Sequence, residues 1–362
     1  MNRKSSPIPC LTIVSLSLLL LSGCAPKGPT PKDAVSQELD YLVDSQTQSA
    51  EQKALLSNLF PADEKNEKTD LELAQTFDLF FKDFSYTITQ SAIKEGKATV
   101  YVDLTTIDAT ALAKDFIAQS IIKQIQGSAT PSSVTFSSND YYHSLYLLLS
   151  SKDYPTADSK CSINLTQTET GWQIDPHQHL ADHLTGGFID AVSNSNLFTP
   201  EEIATIYLDT IKAFDKEQMN QFFALDTLFA ADDEYKRRIS QSLTEQILKY
   251  FDYKILSSNV NGKTATVTAD IISYDANSII QNFSNQMATY TATSQALQDG
   301  IGGRLTKAYQ VLTDCINQNT DTKTTQITLS LNNDGIIWKL TLDEALGQAI
   351  LGNVQAALAG QE

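Results

Sequence analysis

The sequence predicts an α+β protein in which one domain occurs twice in tandem, each copy consisting of helices packed on an antiparallel sheet. Three observations carry this prediction. The two halves of the chain match each other at a nearly constant shift, each half begins with a helical pattern, and each half then contains two hairpin patterns. A length of 362 residues suits two domains, each large enough to bury its own core.

The duplication is visible as matching residues at a shift that falls from 169 to 166 along the chain. Solenoid repeats have periods of about 20 to 50 residues, so a shift of this size indicates a duplicated domain. We place copy one at 31–193 and copy two at 197–362. The matching pairs include Thr30 and Thr199, Asp40 and Asp209, Phe84 and Tyr253 at a shift of 169; Val100 and Val267, Asp103 and Asp270 at 167; and Trp172 and Trp338, Gly186 and Gly352 at 166.

Each copy begins with a helix. Thr30 and Thr199 are typical N-cap residues, and each is followed by a proline, which favours the first helical position. The apolar residues that follow in copy two recur at helical spacing, namely Ile203, Ile206, Tyr207, Ile211 and Phe214.

A hairpin follows the opening helices. In copy two, residues 254–260 and 263–272 flank Asn261-Gly262, a pair typical of tight hairpin turns, and copy one has Gly96 at the corresponding turn. Small or apolar residues alternate with polar ones, so we expect one face of each hairpin to be buried (the dry face) and the other to be exposed to solvent (the wet face). The dry positions are Ala98, Val100, Val102 and Leu104 in copy one and Ala265, Val267, Ala269 and Ile271 in copy two.

The rest of each copy repeats the alternation of helices and strands. Copy one has helical patterns at 109–126 and 139–150 and a second hairpin at 161–175, which corresponds to 326–341 in copy two. A short amphipathic helix closes each copy. Residues 300–303, Gly-Ile-Gly-Gly, are typical of a flexible connection.

The first thirty residues are typical of a lipoprotein precursor. A basic start is followed by an apolar run at 11–21 that is too short for an ordinary transmembrane helix. Leu21-Ser22-Gly23-Cys24 resembles the bacterial lipobox. The resemblance implies that residues 1–23 are a signal peptide, that Cys24 carries diacylglycerol with acyl chains such as palmitate, and that 24–30 form a short linker. Two acyl chains suffice for stable attachment, so we expect a lipid anchor on the extracytoplasmic face of the cell membrane.

The lipobox, the short linker and the duplicated helix-first domain together resemble Gram-positive (Firmicutes) surface lipoproteins with domains of unknown function. Their domains are of the cystatin or nuclear-transport-factor-2 type, which implies a curved sheet in each copy. That type of fold hosts enzymes, pocket binders and structural modules alike, so the resemblance does not select a function.

The charge of the chain excludes some partners. Removal of residues 1–23, which contain Arg3 and Lys4, leaves 24 basic and 43 acidic residues, a net charge of −19. Nucleic acids require clustered lysine and arginine, so we expect no nucleic-acid partner. The same acidity argues against a charge-driven grip on anionic lipid headgroups.

Three of the four histidines form the one candidate metal site. His179 and His183 are spaced to share a helix face, and His177 or Asp182 supplies a third ligand of a type that zinc or copper accepts. The cluster leaves a metal-dependent hydrolase open as the alternative function. Copy two, however, has Asp343, Ala345 and Ala349 at the histidine positions, and the Glu of the H-E-x-x-H motif is missing. We therefore expect no metal and no cofactor.

The cysteines and tryptophans favour structural roles. Cys161 and Cys315 correspond to Ile327 and Leu148 in the other copy, so we expect buried thiols, with a disulfide between them left open. Trp172 and Trp338 occupy equivalent positions and are expected to be core anchors. The alternative is that they line a ligand pocket.

No catalytic motif in the sequence is complete. The anchor and the duplication therefore favour a non-enzymatic binding or interaction lipoprotein, whose expected partner besides the membrane is a cell-envelope protein or a small ligand.

Overall fold

The computed structural model describes residues 28–43, 67–129, 138–175, 180–228, 233–354 and 357. The lipobox and Cys24 lie outside these ranges. None of the helices in the described ranges combines the length and the apolar character needed to cross a bilayer. The chain divides into two compact units, one within Met1–Gln119 and Thr135–Asn194, the other within Ser120–Val134 and Ser195–Glu362.

The predicted fold class is confirmed: each unit contains a four-stranded antiparallel sheet with helices packed against it. The described elements of the first half are α1 (Pro31–Val43), α2 (Glu67–Phe80), β1 (Ser85–Lys94), β2 (Lys97–Ile107), α3 (Ala109–Ser128), α4 (Ser138–Ser151), β3 (Thr156–Thr168), β4 (Gly171–Ile174), α5 (Leu180–Leu184) and α6 (Phe188–Val192).

The second half has the same order of strands, but the number of described helices before, between and after them differs. Its described elements are α7 (Pro200–Lys212), α8 (Lys216–Phe223), α9 (Leu225–Leu228), α10 (Glu234–Tyr250), β5 (Asp252–Asn261), β6 (Thr264–Tyr274), α11 (Ala276–Thr291), α12 (Ser294–Gln298), α13 (Gly300–Gln318), β7 (Thr322–Asn333), β8 (Trp338–Leu340) and α14 (Glu344–Ile350).

Both sheets are simple meanders, with strand orders β1-β2-β3-β4 and β5-β6-β7-β8. Their registers agree in detail, because each first strand is irregular at the same place, between Ile88 and Gln90 in one sheet and between Ile255 and Ser257 in the other. The predicted dry positions of β2 and β6 are all buried. Helices α1 and α7 pack on their respective sheets, and the opposite faces of β2 and β6 carry most of the exposed and half-buried residues. The cystatin or nuclear-transport-factor-2 type of the domains stays a prediction.

The predicted helix starts are confirmed by their caps. The Thr199 hydroxyl accepts a hydrogen bond from the Glu202 amide at 3.2 Å, and the Glu202 carboxylate accepts one from the Thr199 amide at 2.8 Å. Thr30 and Asp33 form the same reciprocal pair at the start of α1. Each pair satisfies amide groups that the first helical turn leaves without a partner.

The pairing of Phe84 with Tyr253 is wrong by two residues. The strand registers align Ser85 with Asp252, a shift of 167, so Phe84 corresponds to Phe251 and Tyr86 to Tyr253. The segment before β5 is two residues shorter than the segment before β1. At a shift of 169 Asp83-Phe84 matches Asp252-Tyr253, and at 167 the aromatic residues Phe84 and Tyr86 match Phe251 and Tyr253. The sequence therefore offers both alignments, and the strand register distinguishes them.

The flexible connection expected at 300–303 is also wrong, because these residues form the first turn of α13. The Gly303 amide donates to the carbonyl oxygen of Asp299 at 3.1 Å. The helix continues to Gln318 and buries Val311, Cys315 and Ile316. Packing of an apolar face contributes more to helix stability than intrinsic propensity does, which explains how a glycine-rich turn is retained.

Candidate functional site

An apolar pocket with a volume of about 240 Å³ lies in the second unit, among α10, α11, α13 and the end of β6. Helix α10 supplies Ile239 and Leu243, and α13 supplies Leu312 and Ile316. The remaining lining residues are Lys236, Tyr274, Ala276, Ile279, Ile280, Tyr309 and Val354. Almost all of the lining surface is hydrocarbon, so the pocket suits a molecule that is itself mainly apolar.

Tyr274 is the more deeply buried of the two tyrosines in the pocket lining. It is the last residue of β6 and only 1% of its surface is exposed. Burial raises the pKa of the Tyr274 phenol, so the group stays neutral and can donate a hydrogen bond. Within the described part of the chain, nothing forms a hydrogen bond with this hydroxyl. A polar atom of a ligand can therefore accept a hydrogen bond from this hydroxyl.

The lining also contains an aromatic and a basic residue, Tyr309 and Lys236, which both contact the start of α10. Tyr309 stacks on Tyr235 with ring centroids 5.9 Å apart and ring planes 17° apart. Lys236 is placed by the start of α10, where its amide donates to the Asp233 side chain at 2.9 Å and its ammonium lies 3.9 Å from the same carboxylate. Both of these lining residues are therefore held by contacts with the start of α10.

The residues that distinguish this pocket differ between the two copies. The strand register places Ile107 where copy two has Tyr274. Gly186 and Gly352 correspond to each other near the end of the two copies, and both have a left-handed backbone. The same shift of 166 aligns Phe188 with Val354. In copy one the Phe188 ring packs 5.7 Å from the Phe80 ring, whereas copy two has the smaller valine at the pocket wall. The sequence patterns did not predict this site, although the change of side-chain size at matched core positions is visible in the sequence.

A polar depression of about 330 Å³ on the wet face of the first sheet is the other candidate. Its charges are largely compensated, since Lys160 lies 3.6 Å from Asp103 and the Thr105 hydroxyl donates to Asp158 at 2.8 Å. The corresponding residues of copy two, Asp270 and Gln326, are also hydrogen-bonded to each other. This arrangement is typical of a solvated sheet surface, and we assign no site to it.

A tyrosine–aspartate hydrogen bond joins the first helix to the first strand in both units. Tyr86 donates to Asp40 and Tyr253 donates to Asp209, each at 2.6 Å. Burial raises the pKa of both phenols, and the neighbouring carboxylate adds to the effect. Because the bond is the same in both copies, it belongs to the fold rather than to a copy-specific site.

The predicted metal cluster is only partly described. His177 and His179 lie outside the described residues, while His183 is half-buried on the short helix α5. No group of three or more histidine, cysteine, aspartate or glutamate side chains suited to a metal occurs within the described ranges. The expectation that this cluster binds no metal therefore stays a prediction.

Both mature cysteines of the described chain are buried free thiols, as predicted. Burial raises the pKa of the Cys161 thiol to about 11, and burial together with Asp314 raises that of Cys315. Neither thiol is suited to act as a nucleophile.

The tryptophan prediction is confirmed for one residue and partly for the other. Trp338 is 4% exposed and belongs to the core, whereas Trp172 is half-buried. The strands that carry them, β4 and β8, both contact the first helix of their unit. Neither residue lines the apolar pocket.

No family model and no curated protein matches the chain. Among solved structures, the chain is similar to a "putative lipoprotein (ycdA)" from Bacillus subtilis subsp. subtilis str. 168. The identity is 15% and the TM-score is 0.30, and the match covers 74% of this chain and 94% of that chain.

Proposed function

We propose that this protein is a lipid-anchored, extracytoplasmic binding protein without enzymatic activity, which takes up a small apolar molecule in the pocket of its second unit. The observation that carries the proposal is a pocket with an almost wholly hydrocarbon lining that includes Tyr274, whose hydroxyl makes no hydrogen bond within the described chain. A ligand with one polar atom placed against this hydroxyl matches both features.

The anchor part of the proposal is supported by Leu21-Ser22-Gly23-Cys24 and the apolar run before it. The Cys24 thiol is the group that is acylated, so Cys24→Ala blocks both lipid attachment and processing. We expect metabolic labelling with a palmitate analogue to be lost and an unprocessed precursor to accumulate. Normal mature, membrane-bound protein from this variant would contradict the anchor.

The volume of the pocket limits the part of a ligand that it can enclose. An engineered apolar cavity of roughly 150 Å³ in another protein holds one benzene molecule. In proportion, a pocket of about 240 Å³ holds a molecule of roughly ten non-hydrogen atoms. The part of the ligand that the pocket encloses is therefore a small alkyl or aromatic group with one polar atom.

The binding test compares 4-ethylphenol with ethylbenzene, which differ by one hydroxyl. Isoleucine methyl NMR of residues 25–362 follows Ile239, Ile279 and Ile280 in the pocket, with Ile163 of the first unit as a control. We expect shifts at the pocket methyls only. Shifts spread equally over the control, or none at all, would contradict the pocket as a site.

Two substitutions test the chemistry of the pocket. Val354→Phe introduces the residue that copy one has at this position and should abolish binding by occupying the space. Tyr274→Phe keeps the volume but removes the hydroxyl, so 4-ethylphenol should bind about 2- to 10-fold more weakly while ethylbenzene is unaffected. Equal weakening for both compounds would show that the hydroxyl makes no hydrogen bond to the ligand.

The non-enzymatic part of the proposal is tested by metal analysis. Purified residues 25–362 should contain no stoichiometric zinc or copper. Stoichiometric zinc that is lost on His179→Ala would contradict the proposal and favour a metal-dependent hydrolase that uses His177, His179 and His183.

A further inference from the structure

The chain joins the first unit at the turn between β3 and β4. A Cβ atom built on Gly171 would lie 3.4 Å from Cδ of Pro29, and one built on Gly28 would lie 3.8 Å from Cα of Gly171. The next residue, Thr30, is held by its hydrogen bonds with Asp33 at the start of α1. The chain is therefore packed onto the first unit from Gly28 onward.

This packing shortens the tether between the lipid and the fold. Only four residue steps separate Cys24 from Gly28, and an extended chain spans at most about 14 Å over four steps. The headgroup layer of one leaflet is itself roughly 5 to 8 Å thick. A lipid on Cys24 therefore holds the β3–β4 turn at or just above the headgroups.

A second hairpin turn lies beside the first. The Gln167 amide donates to the carbonyl oxygen of Gly96 at 2.8 Å, which places the β1–β2 turn next to the β3–β4 turn. We call residues 93–97 and 168–171 the tethered end. The opposite end of the sheet, where Ile107 pairs with Thr156, lies about 40 Å away along β3.

The composition of the tethered end suits a lipid surface. Its charged residues are two lysines and two glutamates, so it is neutral, whereas the mature chain has a net charge of −19. Ile93 exposes 60% of its surface there, next to the exposed Lys94. An exposed apolar side chain flanked by lysine suits the boundary between headgroups and water, where the ammonium reaches the phosphates.

We propose that the tethered end is a membrane-facing surface, which the lipid anchor presses against the headgroups with Ile93 directed into them. The occupant of this surface is the phospholipid headgroup layer. The acidic remainder of the chain is repelled by an anionic leaflet, so the far end of the sheet points away from it. This inference rests on lipidation of Cys24.

The test measures how close each end of the sheet lies to the lipid. The full lipidated protein is inserted into phosphatidylcholine and phosphatidylglycerol vesicles that carry a nitroxide on a fraction of the headgroups. A fluorophore is attached to Thr170→Cys or, as the matched control, to Thr156→Cys, both exposed residues at opposite ends of the β3 region. Cys161 and Cys315 are buried and stay unlabelled. We expect several-fold stronger quenching at position 170.

The outcomes separate this inference from the proposed anchor. Failure of the protein to sediment with vesicles contradicts the anchor itself, whereas sedimentation with equal quenching at 170 and 156 overturns only the orientation. A flexible insertion of about twenty residues after Ala25 should abolish the quenching at 170, because the longer tether no longer holds the turn near the lipid. Quenching that survives the insertion would show that the surface binds lipid by itself and would overturn the tether as its cause.

Discussion

Gly186 and Gly352 are expected to be among the most sensitive positions of the fold. Both have a left-handed backbone, with φ of +63° and +65°, and both lie against the end of the second strand of their sheet. A Cβ atom on Gly186 would lie 2.5 Å from the carbonyl oxygen of Ile107, and one on Gly352 would overlap the carbonyl oxygen of Tyr274 and lie 2.9 Å from its ring. Substitution by alanine therefore adds a clash to a backbone conformation that alanine disfavours.

The cost of each substitution can be estimated from these two contributions. The left-handed conformation costs a non-glycine residue about 1 to 2 kcal/mol. Crowding of a closely packed site adds about 1 to 3 kcal/mol, since the oxygen belongs to the backbone of a paired strand and cannot move aside. We expect Gly186→Ala and Gly352→Ala to lower the free energy of unfolding of their own unit by about 2 to 5 kcal/mol.

Gly187→Ala is the matched control for Gly186→Ala. Gly187 has φ of +83°, yet no atom lies within 4 Å of a Cβ built there, so only the conformational cost of about 1 to 2 kcal/mol applies. Thermal and guanidinium unfolding of residues 25–362 should show a fall in melting temperature of about 5 to 15 °C for Gly186→Ala and less than half of that for the control. Equal effects of the two substitutions would refute the role of close packing.

Three further predictions follow from burial and hydrogen bonding. Trp338→Ala should lower the free energy of unfolding by about 3 to 5 kcal/mol, and Trp172→Ala should lower it clearly less, because Trp172 is only half-buried. For the same reason acrylamide should quench the fluorescence of Trp172 more readily than that of Trp338. Equal quenching of the two single-tryptophan variants would contradict this. The thiol of Cys161 has a pKa of about 11, so only about one molecule in a thousand carries the thiolate at pH 8. Ellman's reagent should therefore react with Cys161 only after unfolding. Rapid reaction of Cys161 in the folded protein would refute this prediction. Tyr86→Phe and Tyr253→Phe should each lower stability by about 1 kcal/mol, measured by denaturant unfolding, and a clear difference between them would show that the two bonds are not equivalent.

The hairpins and the dry faces of the sheets could be predicted from the sequence because their signals are local. Alternation with a period of two and a glycine at the turn define a half-buried hairpin without reference to the rest of the chain. The helical turn at 300–303 could not be predicted in this way, since the packing of residues such as Val311, eight positions after the turn, overrides its local preference. The alignment of Tyr253 depended on a two-residue difference in length that only the strand register reveals.

The pocket could not be predicted for a different reason. Its walls come from α10, α11 and α13 and from the last residue of β6, so no short segment of sequence contains the pattern. A sequence shows that Tyr274 ends an alternating strand, but it does not show that the hydroxyl at that position lacks a partner. The candidate metal cluster differs in that all its residues lie within one segment of seven residues, so the sequence pattern shows it directly. Two of its histidines, however, lie outside the described ranges.

The duplication itself separates structural residues from candidate functional ones. The strand irregularity, the tyrosine–aspartate bond and the crowded glycine occur in both copies, and each has a sufficient explanation in the packing of the fold. Where the copies differ at matched core positions, the fold alone does not require the change. The replacement of Ile107 by Tyr274 introduces a hydroxyl that makes no hydrogen bond within the described chain, and the replacement of Phe188 by Val354 reduces the side-chain volume at the pocket wall. One change adds a polar contact for a ligand and the other adds space, so together they favour ligand binding in the second unit more strongly than either does alone.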